Sequence, residues 1–283
     1  MPARTGGRLT VATGTALYLG AVLGTGVIAL PALAAAVAGP ASLLAWLGLG
    51  VLSMPLAATF AALGARHPDA GGVSTYVREA FGARAATVVG WCFYFAVPAG
   101  APAAALFAGA YVAQATDGGR GTVAVTAVAL LAAATAANAF GVRVSGRLQL
   151  VLAGLLVILL STAVISSLPH ARWENLRPFA PHGWTAIVPA ALLLVWSFAG
   201  WEAITHLAAD FRRPARDLPR AAAIAVVLVG VLYLAVAGAT VLVLGPAAGS
   251  TEAPLAQLLG LGVGGPVHLL AADLLEALGG VQR

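Results

Sequence analysis

Residues 195–206 read VWSFAGWEAITH, within an apolar run that covers residues 185–208. Gly200, which weakens a helix, and Glu202, which can ionise, stand two residues apart in a segment otherwise suited to lipid. Backbone freed from helical hydrogen bonding survives at membrane depth only where protein or a water-filled cavity satisfies it. A charged side chain at the bilayer centre costs on the order of 2.5–3.5 kcal/mol on insertion scales, so it is expected to face a bundle interior and hold a partner. The stretch therefore predicts a broken membrane helix beside a cavity. Glu202 is then either a functional acid or a structural one that pairs with His206 or with a freed N–H.

Composition extends this reading to the whole chain. Of 283 residues, 60% are apolar and 9% are charged, with a mean hydropathy of +0.94. An ordinary globular domain is about a quarter charged. Long Leu/Ala/Val runs without the alternation of barrel strands leave an all-α integral membrane protein. Windows of roughly 20 apolar residues predict spans near 12–36, 41–64, 85–115, 121–141, 148–168, 185–208 and 219–244, with a further segment from about 258. The first window is expected to be a retained helix. Its apolar run exceeds the roughly 7–15 residues of a signal peptide, and more spans follow it.

All fifteen basic residues are arginine. Arginines near span ends stay cytoplasmic. A cytoplasmic N-terminus places eleven of them inside and three outside (Arg120, Arg172 and Arg177), with Arg283 uncounted. That orientation is expected. The same scatter over short loops explains the net charge of +5 without a nucleic-acid partner. The single Cys92 forms no intramolecular disulfide and is expected to be a packing residue. The five histidines lack metal-ligand spacing, and no catalytic or phosphate-cradling motif occurs, so neither enzyme, metal nor cofactor is expected.

The first window repeats the anomaly of the sixth. Residues 17–36 read LYLGAVLGTGVIALPALAAA. Gly20 and Gly24 make a GxxxG pair that could serve helix packing. Gly24, Thr25 and Gly26 are better explained by local unwinding, because glycine on both sides of a helix weakens its backbone twice. Two interrupted spans at corresponding places suggest inverted five-helix repeats. In such transporters, half-helix N-termini meet an anionic group and freed carbonyls meet a cation. An amino acid zwitterion carries both charges.

Four patches together resemble the amino acid-polyamine-organocation superfamily. They are Gly24-Thr25-Gly26, Trp196-Ser197-Phe198-Ala199-Gly200-Trp201-Glu202, the loop RHPDAGGVSTYVREAFG at 66–82 and the loop DFRRPARDLPRA at 210–221. They occur in order across residues 12–245. The finer likeness is to bacterial exporters of methionine and branched-chain amino acids. It implies an inverted-repeat (LeuT-like) transporter fold with broken spans 1 and 6. It also implies efflux or proton-coupled exchange of small hydrophobic amino acids across a bacterial inner membrane, without sodium.

By the same resemblance, Gly24, Thr25 and Gly26 bind the substrate carboxylate. Phe198, Ala199 and Gly200 offer carbonyls to its ammonium. Trp196 and Phe198 form an apolar wall or gate, although packing is the plainer role for an aromatic in a membrane helix. Glu202 is a proton-linked residue or a polar hinge. In the first loop, residues 73–82 predict a short amphipathic helix along the inner face. In the second, Pro214 and Pro219 are expected to stop the helix within a stiff connector.

Residues 1–245 are expected to form the transporter domain of about seven spans, and 246–283 an extracellular loop and a divergent tail. Asp273 and Glu276 fall within that tail and suit an amphipathic helix better than a lipid-facing span. The family likeness is expected to fade near Ala272, leaving the second repeat incomplete and the protein shortened at its C-terminus. An importer or a non-transporting membrane subunit are the competing readings. Partners are then an amino acid, protons and the lipid bilayer, and a homo-oligomer is compatible with all of this.

Overall fold

A computed structural model of the protein describes residues 9–23, 26–69, 71–140, 146–251 and 253–264. Helices account for nearly all of it, and the one β feature among the described residues is an isolated bridge between Leu9 and Phe211. Helix is what an apolar chain must choose in hydrocarbon, because each N–H finds its acceptor within the same segment.

The first span is two half-helices. α1 (Val11–Val22) starts on a capping box: the Thr13 N–H donates to Thr10 Oγ1 at 3.3 Å and the Thr10 N–H to Thr13 Oγ1 at 2.8 Å. Twelve residues reach about 18 Å, too short to cross a bilayer core of about 30 Å. α2 (Gly26–Ala38) resumes after the interruption. A turn at Gly39–Ala41 leads into α3 (Ser42–Arg66). Gly39 has φ +59, and a Cβ there would lie 2.6 Å from the Pro181 ring, so glycine lets the 172–183 loop close over this turn.

The amphipathic loop helix is present as α4 (Val73–Phe81). α5 (Ala83–Ala115) and α6 (Arg120–Ala139) pack along each other, with Gly109 set against the Val123 backbone. α7 (Gly146–Ser167) follows. The sixth span starts as α8 (Ile187–Leu194) and tightens to a 3-10 turn at Val195–Phe198. It then opens at Ala199 (φ −74, ψ 149) and Gly200 (φ +117). Its second half, Ala203–Asp210, is 3-10 rather than α. α9 (Pro214–Ala239) ends in a π turn at Thr240–Leu244, and α10 (Pro254–Leu259) continues into another at Gly260–Gly264.

All seven predicted windows coincide with helical segments. Among the described residues, five helical stretches are long and apolar enough to cross a membrane: Ala29–Arg66, Ala83–Ala115, Leu150–His170, Trp184–Asp210 and Pro214–Ser250. Two local expectations need correction. Pro214 and Pro219 do not stop a helix: Pro214 is its first residue, where a missing N–H costs nothing, and Pro219 lies inside α9. Cys92 is exposed on α5 rather than packed. Asp273 and Glu276 lie outside the described residues.

The core gathers where the broken spans meet their neighbours. α3 runs along α9, α1 against α9 and α7, and α2 against α8. Trp46, Trp201, Tyr18, Tyr233 and Phe211 are its largest fully buried side chains. At one end the segment before α1 is tied to the segment after span 6: the Leu9 N–H donates to the Asp210 carbonyl at 2.9 Å, and the Arg212 N–H to the Leu9 carbonyl at 3.1 Å. A Cβ on Gly14 would sit 2.6 Å from the Phe211 ring, so this tie continues into side-chain packing.

Candidate functional site

The two interruptions lie against each other. A Cβ built on Gly26, the first residue of α2, would fall 2.8 Å from Ser197 Cα and 2.6 Å from Ser197 Oγ. One built on Gly200 would fall 2.8 Å from the Ala21 carbonyl oxygen. Neither position tolerates a side chain without pushing backbone apart. Gly20, by contrast, has nothing within 4 Å of its would-be Cβ, so the packing role considered for it finds no support in this fold. Gly24 and Thr25 lie outside the described residues.

Three polar devices satisfy the freed backbone. Glu202 accepts the Gly200 N–H at 3.0 Å, which is the structural alternative considered for this acid. The Gly200 carbonyl in turn accepts the Ala203 N–H at 3.1 Å. Tyr233, on α9, reaches both breaks: its hydroxyl is 2.5 Å from the Val22 carbonyl and 2.7 Å from the Ser197 carbonyl. These carbonyls close α1 and the 3-10 turn of span 6, so one phenol caps the C-terminal ends of both first half-helices.

Other polar atoms in this region stay unmatched. Ser197 Oγ, beside Gly26, and Trp46 Nε1 are buried without a hydrogen-bond partner. The Trp46 ring lies 5.0 Å from Tyr233 and 6.0 Å from Phe198, and Phe198 meets Tyr233 edge-on at 5.1 Å. Buried polar atoms in native structures nearly always find partners, so an orphan hydroxyl between two broken helices marks a place for a polar ligand group or water.

The predicted residues separate into two sets. Gly26, Phe198 and Gly200 are buried at the junction, and Glu202 is half-buried beside it. Trp196 and Ala199 are exposed. Trp196 instead covers Gly100 of α5, where a Cβ would lie 2.5 Å from the indole. Sequence reasoning missed Tyr233, Trp46 and the Ser197 hydroxyl. Ser197 stood inside the quoted motif, but a lone Trp or Tyr in an apolar span reads as packing until its partners are seen.

Residues 9–280 match the family described as amino acid permease. The chain belongs to the amino acid permease family. The match continues past Ala272, where the likeness was expected to fade, to residue 280. The chain is 36% identical over 256 residues to an uncharacterized amino acid permease, YecA, of Bacillus subtilis, covering 90% of this chain and 60% of that protein. It is 39% identical over 266 residues to the L-methionine/branched-chain amino acid exporter YjeH of Escherichia coli, covering 90% and 62%. An uncharacterized transporter of Mycobacterium tuberculosis, Rv1999c, is 32% identical over 244 residues, covering 84% and 53%. The chain therefore spans about 60% of the length of the first two relatives. Family membership and the apolar helices make this permease chain a multi-pass membrane protein of a transporter family, not of an enzyme family.

Proposed function

We propose that the chain forms the substrate-gripping part of a secondary transporter for small hydrophobic amino acids, methionine or the branched-chain ones. It would carry them out of the cell or exchange them for protons. The carboxylate sits at the N-terminus of α2, against the N–H groups of Gly24, Thr25 and Gly26, where the helix dipole favours an anion. The ammonium meets carbonyls of Phe198, Ala199 and Gly200. Phe198 lines the apolar side and Trp196 forms the outer wall toward α5. Glu202 acts as a polar hinge that holds the Gly200 turn, and a proton-linked role would be additional to that cap.

The unpartnered Ser197 hydroxyl, buried beside Gly26 at the contact of the two breaks, carries this reading. The family membership and the exporter relative supply the substrate class. Spans 1 and 6 then hold matching places in two inverted five-helix repeats. Residues 1–245 make the transporter domain, in a bacterial inner membrane with the N-terminus cytoplasmic and homo-oligomers allowed.

Purified protein titrated with labelled leucine and methionine tests the site. Binding is expected in the unsubstituted protein and loss of binding in Gly26→Leu, with membrane insertion retained in both. Equal affinity of the two forms would remove the carboxylate site. Cells preloaded with label decide direction: faster loss on expression marks export, and faster uptake alone marks import.

A further inference from the structure

A second feature lies on the outer surface of the bundle. α3 and α9 enclose a groove of about 350 Å³ lined only by apolar side chains, among them Met54, Ala58 and Ala62 of α3 and Pro219, Ala223 and Val227 of α9. The three α3 positions recur every fourth residue and so form one row along the helix. Arg66 is the next member of that row. On α9, Pro219, Ala223 and Val227 also form a row. Arg216 precedes Pro219 by three residues, and Arg220 precedes Ala223 by three.

The helices run antiparallel, so these arginines gather at one end of the groove. Register fixes this: a Cβ on Gly64 would touch Leu218 Cδ2 at 2.7 Å, which sets Arg66 level with Arg216. Arg66, Arg216 and Arg220 are all exposed. Among the described residues none of them has a carboxylate within ion-pair distance. Asp217, next to Arg216, is buried and lies 3.6 Å from Arg213 Nε, while Asp69, the acid closest in sequence to Arg66, accepts the Gly71 N–H and the Thr75 hydroxyl. An apolar slot that ends in three uncompensated guanidinium groups is complementary to an amphiphile with an anionic head. Arginine matches phosphate well because its planar donors can bind two oxygens at once.

We propose that this groove is a site for an anionic phospholipid, with one acyl chain between α3 and α9 and the headgroup phosphate on Arg66, Arg216 and Arg220. The surface potential of an anionic cytoplasmic leaflet favours basic residues at the same level. A lipid held there would bridge α3 to α9, the helix whose Tyr233 ties the two breaks together. The site requires membrane embedding but not any particular transported substrate.

Native mass spectrometry of the full-length protein in detergent tests it, with phosphatidylglycerol and phosphatidylcholine of identical acyl chains as probes. Retention of phosphatidylglycerol is expected to exceed that of phosphatidylcholine by more than about tenfold, each arginine supplying roughly a fivefold factor. R66Q/R216Q/R220Q should bring the two lipids within about twofold of each other. Ala58→Phe with Ala223→Phe should reduce retention of both by filling the slot. Both positions face outward, and unchanged helical content and melting midpoint verify folding. Equal retention by the unsubstituted protein overturns the site, as does an undiminished preference in the arginine variant. Competition by glycerophosphoglycerol as strong as by the intact lipid would mean that the groove holds no acyl tail. A dimer that disappears in the Phe variant while lipid retention stays constant would give the groove to a second copy. Either result overturns the proposal.

Discussion

The Tyr233 hydroxyl lies 2.5 Å from the carbonyl oxygen of Val22, the last residue of α1, although the two are 211 positions apart in the chain. The same oxygen is 2.7 Å from the Ser197 carbonyl. A phenol has a single proton, so the two carbonyls share one donor. α9 thereby joins the two interrupted spans by their freed backbone, and a movement that separates the spans must break or redirect this bond.

Tyr233→Phe should keep the ring packing on Trp46 and Phe198 and leave both carbonyls without a donor. Loss of about 1–3 kcal/mol is expected for buried polar groups left unmatched. Thermal unfolding in detergent reads it, and a midpoint equal to that of the unsubstituted protein would show that water replaces the phenol without loss.

Glycine substitutions should rank by space. Gly200→Ala combines φ +117 with a Cβ 2.8 Å from the Ala21 carbonyl, whereas Gly20→Ala meets nothing within 4 Å. The first is expected to destabilise by at least about 1–3 kcal/mol. The second should be neutral or stabilising by up to about 1 kcal/mol, since alanine is the better helix former. Equal melting midpoints for the two variants would contradict the close contact of the breaks.

Glu202 can be dissected by a pair of variants. Glu202→Gln retains a carbonyl oxygen for the Gly200 N–H and should stay close to the unsubstituted stability. Glu202→Ala removes the acceptor and should lose roughly 1–2 kcal/mol. If substrate binding in Glu202→Gln follows the same pH profile as before, the acid is a hinge alone; an altered profile adds proton linkage.

The start of α4 should respond to acid. Asp69 accepts the Thr75 hydroxyl and the Gly71 N–H, each at 2.7 Å, and these bonds hold its carboxyl below the usual carboxylate range. A depressed folded-state pKa means that the support is present above the ordinary carboxylate pKa and is lost as pH falls through the lowered value. Asp69→Ala should therefore speed amide exchange at residues 71–76 near neutral pH, after correction for intrinsic rates. The difference should vanish in strong acid. A gap that persists there would assign the effect to something other than the charge.

Much of this molecule is legible along the chain. The bilayer offers no partners to a bare peptide group, so apolar length alone placed the seven windows, and Ala199-Gly200 located the opening of span 6, whereas Gly24 and Thr25 lie outside the described residues. The loop helix at Val73–Phe81 was equally plain, because amphipathic spacing is a local property. Pro214 and Pro219 misled, since proline reads as a helix stop unless its position in the first turns is known.

The sequence by itself determined the membrane class, the family and the places where helical winding fails, because each depends on the side chains of one continuous segment in contact with lipid. Only the tertiary structure decided what the freed groups bond to: Tyr233 for Val22 and Ser197, Glu202 for Gly200, and nothing for Ser197 Oγ. It also turned Trp196 toward Gly100. Hydrogen-bond partners distant in sequence are chosen by how helices pack, and packing of apolar helices depends on shape at particular glycines, which no hydropathy pattern records.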